Sequence, residues 1–316
     1  MLITLRPPNP ETDFPGVANL LTMAWPEPVT VEELQEEEQR QVAGKIRYRR
    51  VAVRDDGTIA GYGAAVHYPS QSAGLFHVIV AVDPEQRCQG IGAALYDDVL
   101  RFLAAQGATL LACEIPERHP QGLEFAQRRG FVIRRHAIGL ILDLSAFDER
   151  RFAGLVEAVT ASGIRFFSVA DAGITPETLA QLYAINRTAS TDDPASIDGG
   201  FPSFDVWRRL IVESAGFQPE GQILAADGET YVGLAAVHFD AETQSAESLL
   251  TGVDRAYRGR KIGQALKLLS IRFALARGAT HIVTQTDARN SSMIWINHKF
   301  GYQPEPGYYE LVKALG

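Results

Sequence analysis

The sequence repeats itself at a constant spacing of 171 residues, the step from Gly90 to Lys261. At this spacing Gly90–Leu95, which reads GIGAAL, aligns with Lys261–Leu266, which reads KIGQAL. The same step pairs Val82-Asp83 with Val253-Asp254, Phe102 with Phe273, Gly107–Thr109 with Gly278–Thr280, and Gly130-Phe131 with Gly301-Tyr302. A register that holds over about fifty residues without a gap predicts an internal duplication.

Both repeats predict the same order of secondary structure from their apolar periodicity and turn residues. The first repeat predicts strands Arg50–Val53, Gly61–His67 and Leu75–Val82, helix Ile91–Gln106, strand Thr109–Ile115, helix Leu123–Arg129 and strand Ala137–Leu144. The second predicts strands Ile223–Ala226, Tyr231–Phe239 and Glu247–Val253, helix Ile262–Arg277, strand His281–Thr286, helix Met293–Lys299 and strand Tyr309–Val312. This mixture predicts an α/β (α+β) fold for each repeat.

The region between the repeats is amphipathic. Apolar residues of Ser145–Gly163 recur at helical spacing and predict a linker helix. The chain has 316 residues, a length that fits two domains of ordinary size. We therefore predict an N-terminal domain over 1–147, a linker helix over 148–163 and a C-terminal domain over 164–316.

The composition narrows the classes of partner. The net charge of −8 disfavours nucleic acid and membranes and would attract a cationic amine, although acidity also serves solubility alone. The two cysteines form no disulfide framework, and the sequence has no cluster of metal-ligand spacing, so we expect no metal. The first nine residues lack a signal-peptide pattern, which favours the cytoplasm. We expect a monomer or a homodimer.

The joint between a strand and a glycine-rich helix start is the candidate site. In the first repeat the strand ends at Val82, a polar loop follows, and the helix opens with Gly90–Gly92. Free backbone N–H groups at a helix start bind anions, and glycines let a diphosphate approach them closely. Arg87 and Gln89 lie where their side chains can reach the same phosphates. The recurrence of this joint in the second repeat strengthens the assignment.

Arg87–Gly92, which reads RCQGIG, matches the RxxGxG/A signature of the GNAT superfamily of N-acetyltransferases. The chain resembles that family once per half, with an organisation similar to mycothiol synthase. The resemblance implies two folds of a mixed, mostly antiparallel sheet flanked by helices. It implies acetyl-CoA as co-substrate, with the diphosphate on the signature amides and the pantetheine arm along the preceding strand. The implied contacts in the first repeat are Val80, Ala81, Val82, Arg87, Cys88, Gln89, Gly90, Ile91, Gly92 and Ala93.

The second repeat departs from the signature, because Lys261 replaces its first glycine. Its ammonium could contact a phosphate, or its side chain could crowd the loop. The implied contacts there are Thr251, Gly252, Val253, Arg258, Gly259, Arg260, Lys261, Ile262, Gly263, Gln264, Asn290 and Asn297. For the two asparagines the alternative is that Asn290 caps a helix and Asn297 is exposed.

Acid and base groups are less well defined. In many members of the family the general acid is a tyrosine four residues before the glycine of a GF pair. This chain has Ala126 and Asn297 at those positions. Tyr302 is then a candidate acid, together with other tyrosines, a water molecule, or no acid at all. Glu114 and Glu247 are candidate bases near the strands that should splay apart. The alternative for both carboxylates is an exposed charge at a strand end.

Thr188–Phe204 predicts a long irregular loop that could act as a lid. Its Asp192, Asp193 and Asp198 would suit a cationic substrate. The residues therefore favour an N-acetyltransferase acting on a small-molecule amine, with the second repeat as the catalytic copy. Two alternatives stay open: a non-catalytic acyl-CoA-binding or regulatory protein, and a protein or peptide acetyltransferase.

Overall fold

A computed structural model describes residues 3–25, 28–39, 42–69, 71–192, 201–214 and 216–315. The chain divides into two compact units. The first unit comprises Met1–His136 and Tyr308–Gly316, and the second comprises Ala137–Gly307.

The first unit is built on six strands in the order β1-β2-β3-β4-β5-β12. Neighbouring strands are antiparallel except β4 and β5, which run parallel. The strands are β1 Ile3–Arg6, β2 Ile46–Arg54, β3 Ile59–His67, β4 Leu75–Val82, β5 Leu110–Pro116 and β12 Gln303–Ala314, of which residues 308–314 belong to this unit.

Helices cover both faces of this sheet because adjacent strand residues point to opposite sides. On one face the buried stripe Val17, Leu20 and Leu21 of one helix packs on Val51, and on the other Leu95 of the signature helix packs on Ala52. The helices are α1 Phe14–Ala24, α2 Val31–Gln39, α3 Ile91–Ala105 and α4 Pro120–Gln127.

The second unit repeats this plan with six strands in the order β6-β11-β10-β9-β8-β7, of which β10 and β11 run parallel. The strands are β6 Val132–Asp143, of which residues 137–143 belong to this unit, β7 Ile164–Ser168, β8 Gln222–Asp227, β9 Thr230–Asp240, β10 Ser245–Val253 and β11 His281–Asp287. The helices are α5 Leu155–Ala161, α6 Val169–Ala172, α7 Pro176–Thr191, α8 Phe204–Trp207, α9 Ile262–Ala276 and α10 Ser291–Phe300. The mixed sheets and flanking helices confirm the predicted fold class.

The final strands of the two repeats are exchanged. β6 ends the first repeat, yet its residues Ala137–Asp143 pair with β11 of the second unit. β12 ends the second repeat, yet its residues Tyr308–Ala314 pair with β5 of the first unit. Each compact unit therefore contains sequence from both repeats, and the units do not follow the ranges 1–147 and 164–316.

The linker forms two short pieces rather than one helix. A 3₁₀ turn covers Glu149–Phe152, and α5 begins after Gly154, whose φ of 73° is left-handed. Phe152 stacks on Phe300 at 4.1 Å between ring centroids, so the linker packs as part of the second unit's core.

Gly307 supports a close crossing of two strand segments. A methyl group added there would overlap the carbonyl oxygen of Ala137. We expect Gly307→Ala to lower the free energy of unfolding by about 2 kcal/mol, because overpacked sites shift the backbone. Denaturant unfolding measures the change. Gly122→Ala in α4, where the added methyl meets only ordinary contacts, is the matched control and should be neutral or stabilising. Equal stability of the two variants would contradict the close crossing.

Candidate active site

β10 carries one residue more than its counterpart β4. Its pairing with β9 shifts register between Ser248 and Leu250, so Leu249 forms a β-bulge. The six described pairs between β3 and β4 run without a shift. Upstream of the bulge the repeat spacing falls to 170, because Leu75 and Ser245 hold equivalent places beside β5 and β11.

The bulge stands where β10 and β11 stop pairing. Their parallel register ends at Ser248 and Thr284, although the strands continue to Val253 and Asp287. The pairing of β4 and β5 also ends early. A wedge between two parallel strands therefore opens in each unit. Among the described strand pairs, the bulge at the apex of the wedge is present in the second unit and absent from the first.

A cavity of about 490 Å³ occupies the second unit beside this wedge. Ten of the twelve residues predicted for the second repeat line it, and Arg260 and Asn297 are not among them. Further lining residues, which sequence reasoning missed except for Asp192, are Ala189, Asp192, Leu250, Tyr257, Arg289, Ser291, Ser292, Met293 and Ile296. The sequence-predicted residues thus meet around one space.

The start of α9 supplies an anion site at this cavity. Lys261 is the residue before the helix, and the amide groups of the first turn have no partner within the helix. Arg258 donates from Nε to the carbonyl oxygen of Val253 at 3.2 Å, which holds its guanidinium beside the loop. Arg87 makes the same bond to Val82 at 3.3 Å in the first unit. These groups fit a diphosphate.

Each signature loop needs two left-handed residues. In the first repeat these are Cys88 at φ 61° and Gly90 at φ 84°, and in the second Gly259 at φ 80° and Lys261 at φ 63°. Lys261 is therefore accommodated with backbone strain of about 1–2 kcal/mol. Lys261 lines the cavity, and both the phosphate contact and the crowding of the loop stay predictions.

Helix α7 closes one side of the cavity. The predicted irregular loop over Thr188–Phe204 was wrong for its first residues, which belong to this helix. The helix runs to Thr191, and a methyl group added at Gly252 would overlap Ala189. Asp192 follows and forms ion pairs with Arg255 and Arg258, which lower the pKa of its carboxyl group, chiefly through the Arg255 hydrogen bond. Its charge is thereby neutralised. The predicted Asp193 and Asp198 lie outside the described residues.

The two predicted asparagines have different environments. Asn290 caps α10, accepting a hydrogen bond from the amide of Met293 at 3.2 Å, while it also lines the cavity. Asn297 is fully buried and donates to the hydroxyl of Thr286 at 3.3 Å, so the alternative of an exposed Asn297 was wrong. Arg260 points elsewhere and donates to the carbonyl oxygen of Ser162.

The core of the second unit below the bulge is more polar than that of the first, where the Tyr96 hydroxyl is hydrogen-bonded to Lys313. Six equivalent positions differ in this way: Ser248, Lys267, Thr284, Thr286, Asn297 and Tyr302 in the second unit replace Val78, Tyr96, Cys113, Ile115, Ala126 and Phe131 in the first. Buried polar groups cost stability unless they are fully hydrogen-bonded. Among the described residues, buried Asn297 Oδ1, Tyr302 Oη and Thr251 Oγ1 have no hydrogen-bond partner.

Lys267 is the most unusual member of this cluster. Its side chain is fully buried, with Nζ 3.3 Å from Ser248 Oγ and 4.5 Å from the ring centroid of Tyr302. Burial lowers the pKa of the amine to about 7. Sequence reasoning missed this residue, although a lysine on the apolar side of the signature helix was a visible signal.

The three candidate acid and base residues lie in different surroundings. Glu114 faces Glu310 across β5 and β12, and partial desolvation together with that carboxylate raises its pKa. Glu247 is exposed on β10, two residues before the bulge. Tyr302 is fully buried, which raises the pKa of its phenol. The structure therefore does not bring the three residues together in one site.

Comparison with known proteins settles the family. The model of the acetyltransferase (GNAT) family matches residues 14–131 and 182–302, which is most of the chain. The chain belongs to this family. It is an acyltransferase, as the sequence predicted, and members of the family bind acetyl-CoA.

Relatives and solved structures resemble the chain along most of its length. Mycothiol acetyltransferase of Nocardia farcinica is 28% identical over 261 residues, covering 81% of this chain and 80% of that protein. The corresponding protein of Mycolicibacterium gilvum is 26% identical over 80% of this chain and 79% of its own length. A tandem GNAT protein from the clavulanic acid biosynthesis pathway has a TM-score of 0.71 at 18% identity, covering 100% of this chain and 99% of its own. An N-acetyltransferase of this family from Sphaerobacter thermophilus has a TM-score of 0.73 at 19% identity, covering 99% and 95%.

No described helix has the length and apolar character needed to cross a membrane. Across the described residues, no group of three or more His, Cys, Asp and Glu side chains is arranged to hold a metal ion.

The buried amine of Lys267 should be visible in the pH dependence of stability. An unfolded lysine titrates near 10.5, so below pH 7 the folded protein bears the full cost of a buried charge, and this cost disappears as pH rises from about 7 to 10.5. We expect Lys267→Met to be more stable than wild type at pH 7. The difference should shrink by about 1.4 kcal/mol per pH unit above that. Denaturant unfolding of both proteins across this range measures it, and a pH-independent difference would contradict the assignment.

Proposed function

We propose that the chain transfers the acetyl group of acetyl-CoA to a primary amine of a small molecule, by direct attack in a ternary complex in the second unit. The observation that carries this proposal is the bulged wedge between β10 and β11, which opens beside the signature helix and the 490 Å³ cavity. The first unit, with a regular β4 and an apolar core at the equivalent positions, has a structural role.

Binding of the co-substrate would begin at the helix start. The first-turn amides of α9, the guanidinium of Arg258 and the ammonium of Lys261 provide donors and positive charge for a diphosphate. Thr251–Val253 provide a strand edge along which an extended pantetheine arm can pair its amides. The thioester would then lie in the wedge, near the bulge at Leu249.

The chemistry follows from that position. The lone pair of the amine attacks the thioester carbonyl carbon, a C–N bond forms, and the C–S bond breaks with its electron pair going to sulfur. Backbone N–H groups turned out of the ladder at the bulge are suited to stabilise the developing oxyanion. An acceptor ammonium must first lose a proton, and Glu247, an exposed carboxylate two residues before the bulge, is the candidate base.

Two observations support a small acceptor. Relatives at 25–28% identity are named mycothiol acetyltransferases. Helix α7 packs directly on Gly252, so the cavity is enclosed on that side rather than opening into a long groove.

Paired glycine substitutions test which repeat is active. A valine at Gly263 would stand beside Val253 and Ile296 at the cavity wall, where it keeps phosphates from the first-turn amides. We expect Gly263→Val to lower kcat/KM for acetyl-CoA about a hundredfold, as for the loss of two hydrogen bonds to a charged group. Gly92→Val in the first repeat should leave it almost unchanged. The measurement is thiol release across a panel of small amines. No release by wild type with any amine would overturn the proposed function, and the reverse ranking of the variants would overturn the choice of repeat.

Lys261 offers a test with two readouts of opposite sign. Lys261→Gly removes a left-handed lysine and should raise the free energy of unfolding by up to about 1 kcal/mol. It also removes an ammonium from the cavity mouth and should weaken binding of acetyl-CoA several-fold, measured by calorimetry. Cys88→Gly makes the same backbone change in the first repeat and should alter stability alone. Unchanged affinity in Lys261→Gly would show that the lysine does not contact the phosphates.

A further inference from the structure

The polar cluster of the second unit lies at the closed end of the wedge. Ser248 is the last residue of β10 to pair with β11, and Lys267 Nζ lies 3.3 Å from its hydroxyl. Thr284 is the facing residue and donates its hydroxyl to the carbonyl oxygen of Ser248 at 2.9 Å. The amine therefore stands directly below the point at which the strands separate.

The described surroundings of Lys267 include no carboxylate paired with it. Ser248 and the face of the Tyr302 ring are its contacts, while a protonated amine has three N–H donors. On the elements packed around it, Asp287 is ion-paired with Arg289, Glu247 lies on the other face of β10, and His298 is exposed on α10. The phenol of Tyr302 is the other titratable group at the cluster, and its oxygen has no partner.

The first repeat shows that the fold does not require this amine. The equivalent residue, Tyr96, packs between the rings of Phe125 and Phe131, and its hydroxyl accepts a hydrogen bond from Nζ of the half-buried Lys313 at 3.1 Å. A buried lysine costs more than a buried ring, and its presence in one repeat alone is explained by a task that only that repeat performs.

We propose that Lys267 is the proton donor to the thiolate that leaves when the thioester is cleaved, with Ser248 and Tyr302 positioning its ammonium. This inference rests on the proposed function of the second unit. When the C–S bond breaks, sulfur takes the electron pair and one proton from the Lys267 ammonium, which leaves a neutral amine and the free thiol of CoA. The proton that the acceptor nitrogen gives up, through water, restores the ammonium.

The location of Lys267 below the apex of the wedge suits this transfer. A general acid works best when its pKa lies near the working pH, and burial brings that of Lys267 to about 7. Arg258, Lys261 and Arg289 line the cavity, whereas Lys267 is the cationic group beside Ser248, the last residue of β10 that pairs with β11. Asn297, which occupies the position of the usual tyrosine, carries no acidic proton.

The binding test compares CoA with desulfo-CoA, which lacks the sulfur atom. Wild-type protein should bind CoA about tenfold more tightly than desulfo-CoA near pH 8, because the thiol passes its proton to the largely neutral amine and the resulting ammonium pairs with the thiolate. Lys267→Met should bind both ligands equally, with the affinity that wild type has for desulfo-CoA. Tyr96→Phe, at the equivalent position of the first repeat, should behave as wild type. Calorimetry measures all affinities. Retained binding of desulfo-CoA by Lys267→Met shows that the site of this variant is folded. If Lys267→Met does not fold, Lys267→Gln takes its place.

The kinetic test uses the pH profile. For wild type, kcat should fall as pH rises above neutrality, because the donor loses its proton, and Lys267→Met should lose that descending limb together with about a hundredfold in kcat. The KM for acetyl-CoA should change little. If the lysine had only a structural role, its replacement would lower the melting temperature and leave the descending limb in place.

The outcomes separate the two proposals. If wild type binds neither CoA nor desulfo-CoA, the proposed function fails and the assignment of Lys267 fails with it. If wild type binds both and releases thiol, but Lys267→Met keeps the CoA preference or the descending limb, the assignment of Lys267 is overturned while the proposed function stands.

Discussion

The extra residue at Leu249 is the constraint on which the second unit's site depends. A parallel pair of strands normally leaves no room between its backbones. Pairing of β10 with β11 ends at Ser248, and the bulge that follows redirects the backbone of β10. The signature loop then continues from the far end of the same strand, so one strand positions both ends of the site.

The duplication has become asymmetric in its core. Both units keep the strand order, the parallel pair and the left-handed turns of the signature loop. They differ below the wedge, where one is packed with aromatic and aliphatic side chains and the other with hydroxyls, an amide and an amine. An apolar core stabilises the fold but takes no part in chemistry. Incompletely paired polar groups lower the stability of the fold but can take part in chemistry. Because these tasks are divided between the repeats, the stability of the apolar first unit can offset the free-energy cost of the polar groups in the second.

Much of this was predictable from local sequence. The repeat, the order of elements, the anion site at the helix start and the fold class follow from spacing and glycine placement. The strand exchange did not, because β6 and β12 carry equivalent signals and the choice between β5 and β11 is made by contacts far apart in sequence. The extent of α7 was missed, since its last turn reads as polar loop residues and is held by packing on Gly252. Lys267 was missed because sequence alone places lysines at the surface.

The exchange of final strands also bears on how the protein is made. During synthesis β5 emerges early, but Tyr308–Ala314, which pair with it, leave the ribosome only after every other described strand and helix. Until then the edge of β5 is exposed, and an open edge can recruit strands of other chains. The nascent chain must keep that edge protected, for example by a temporary pairing with β6 that is later undone, and separate expression of either half would leave a sheet incomplete.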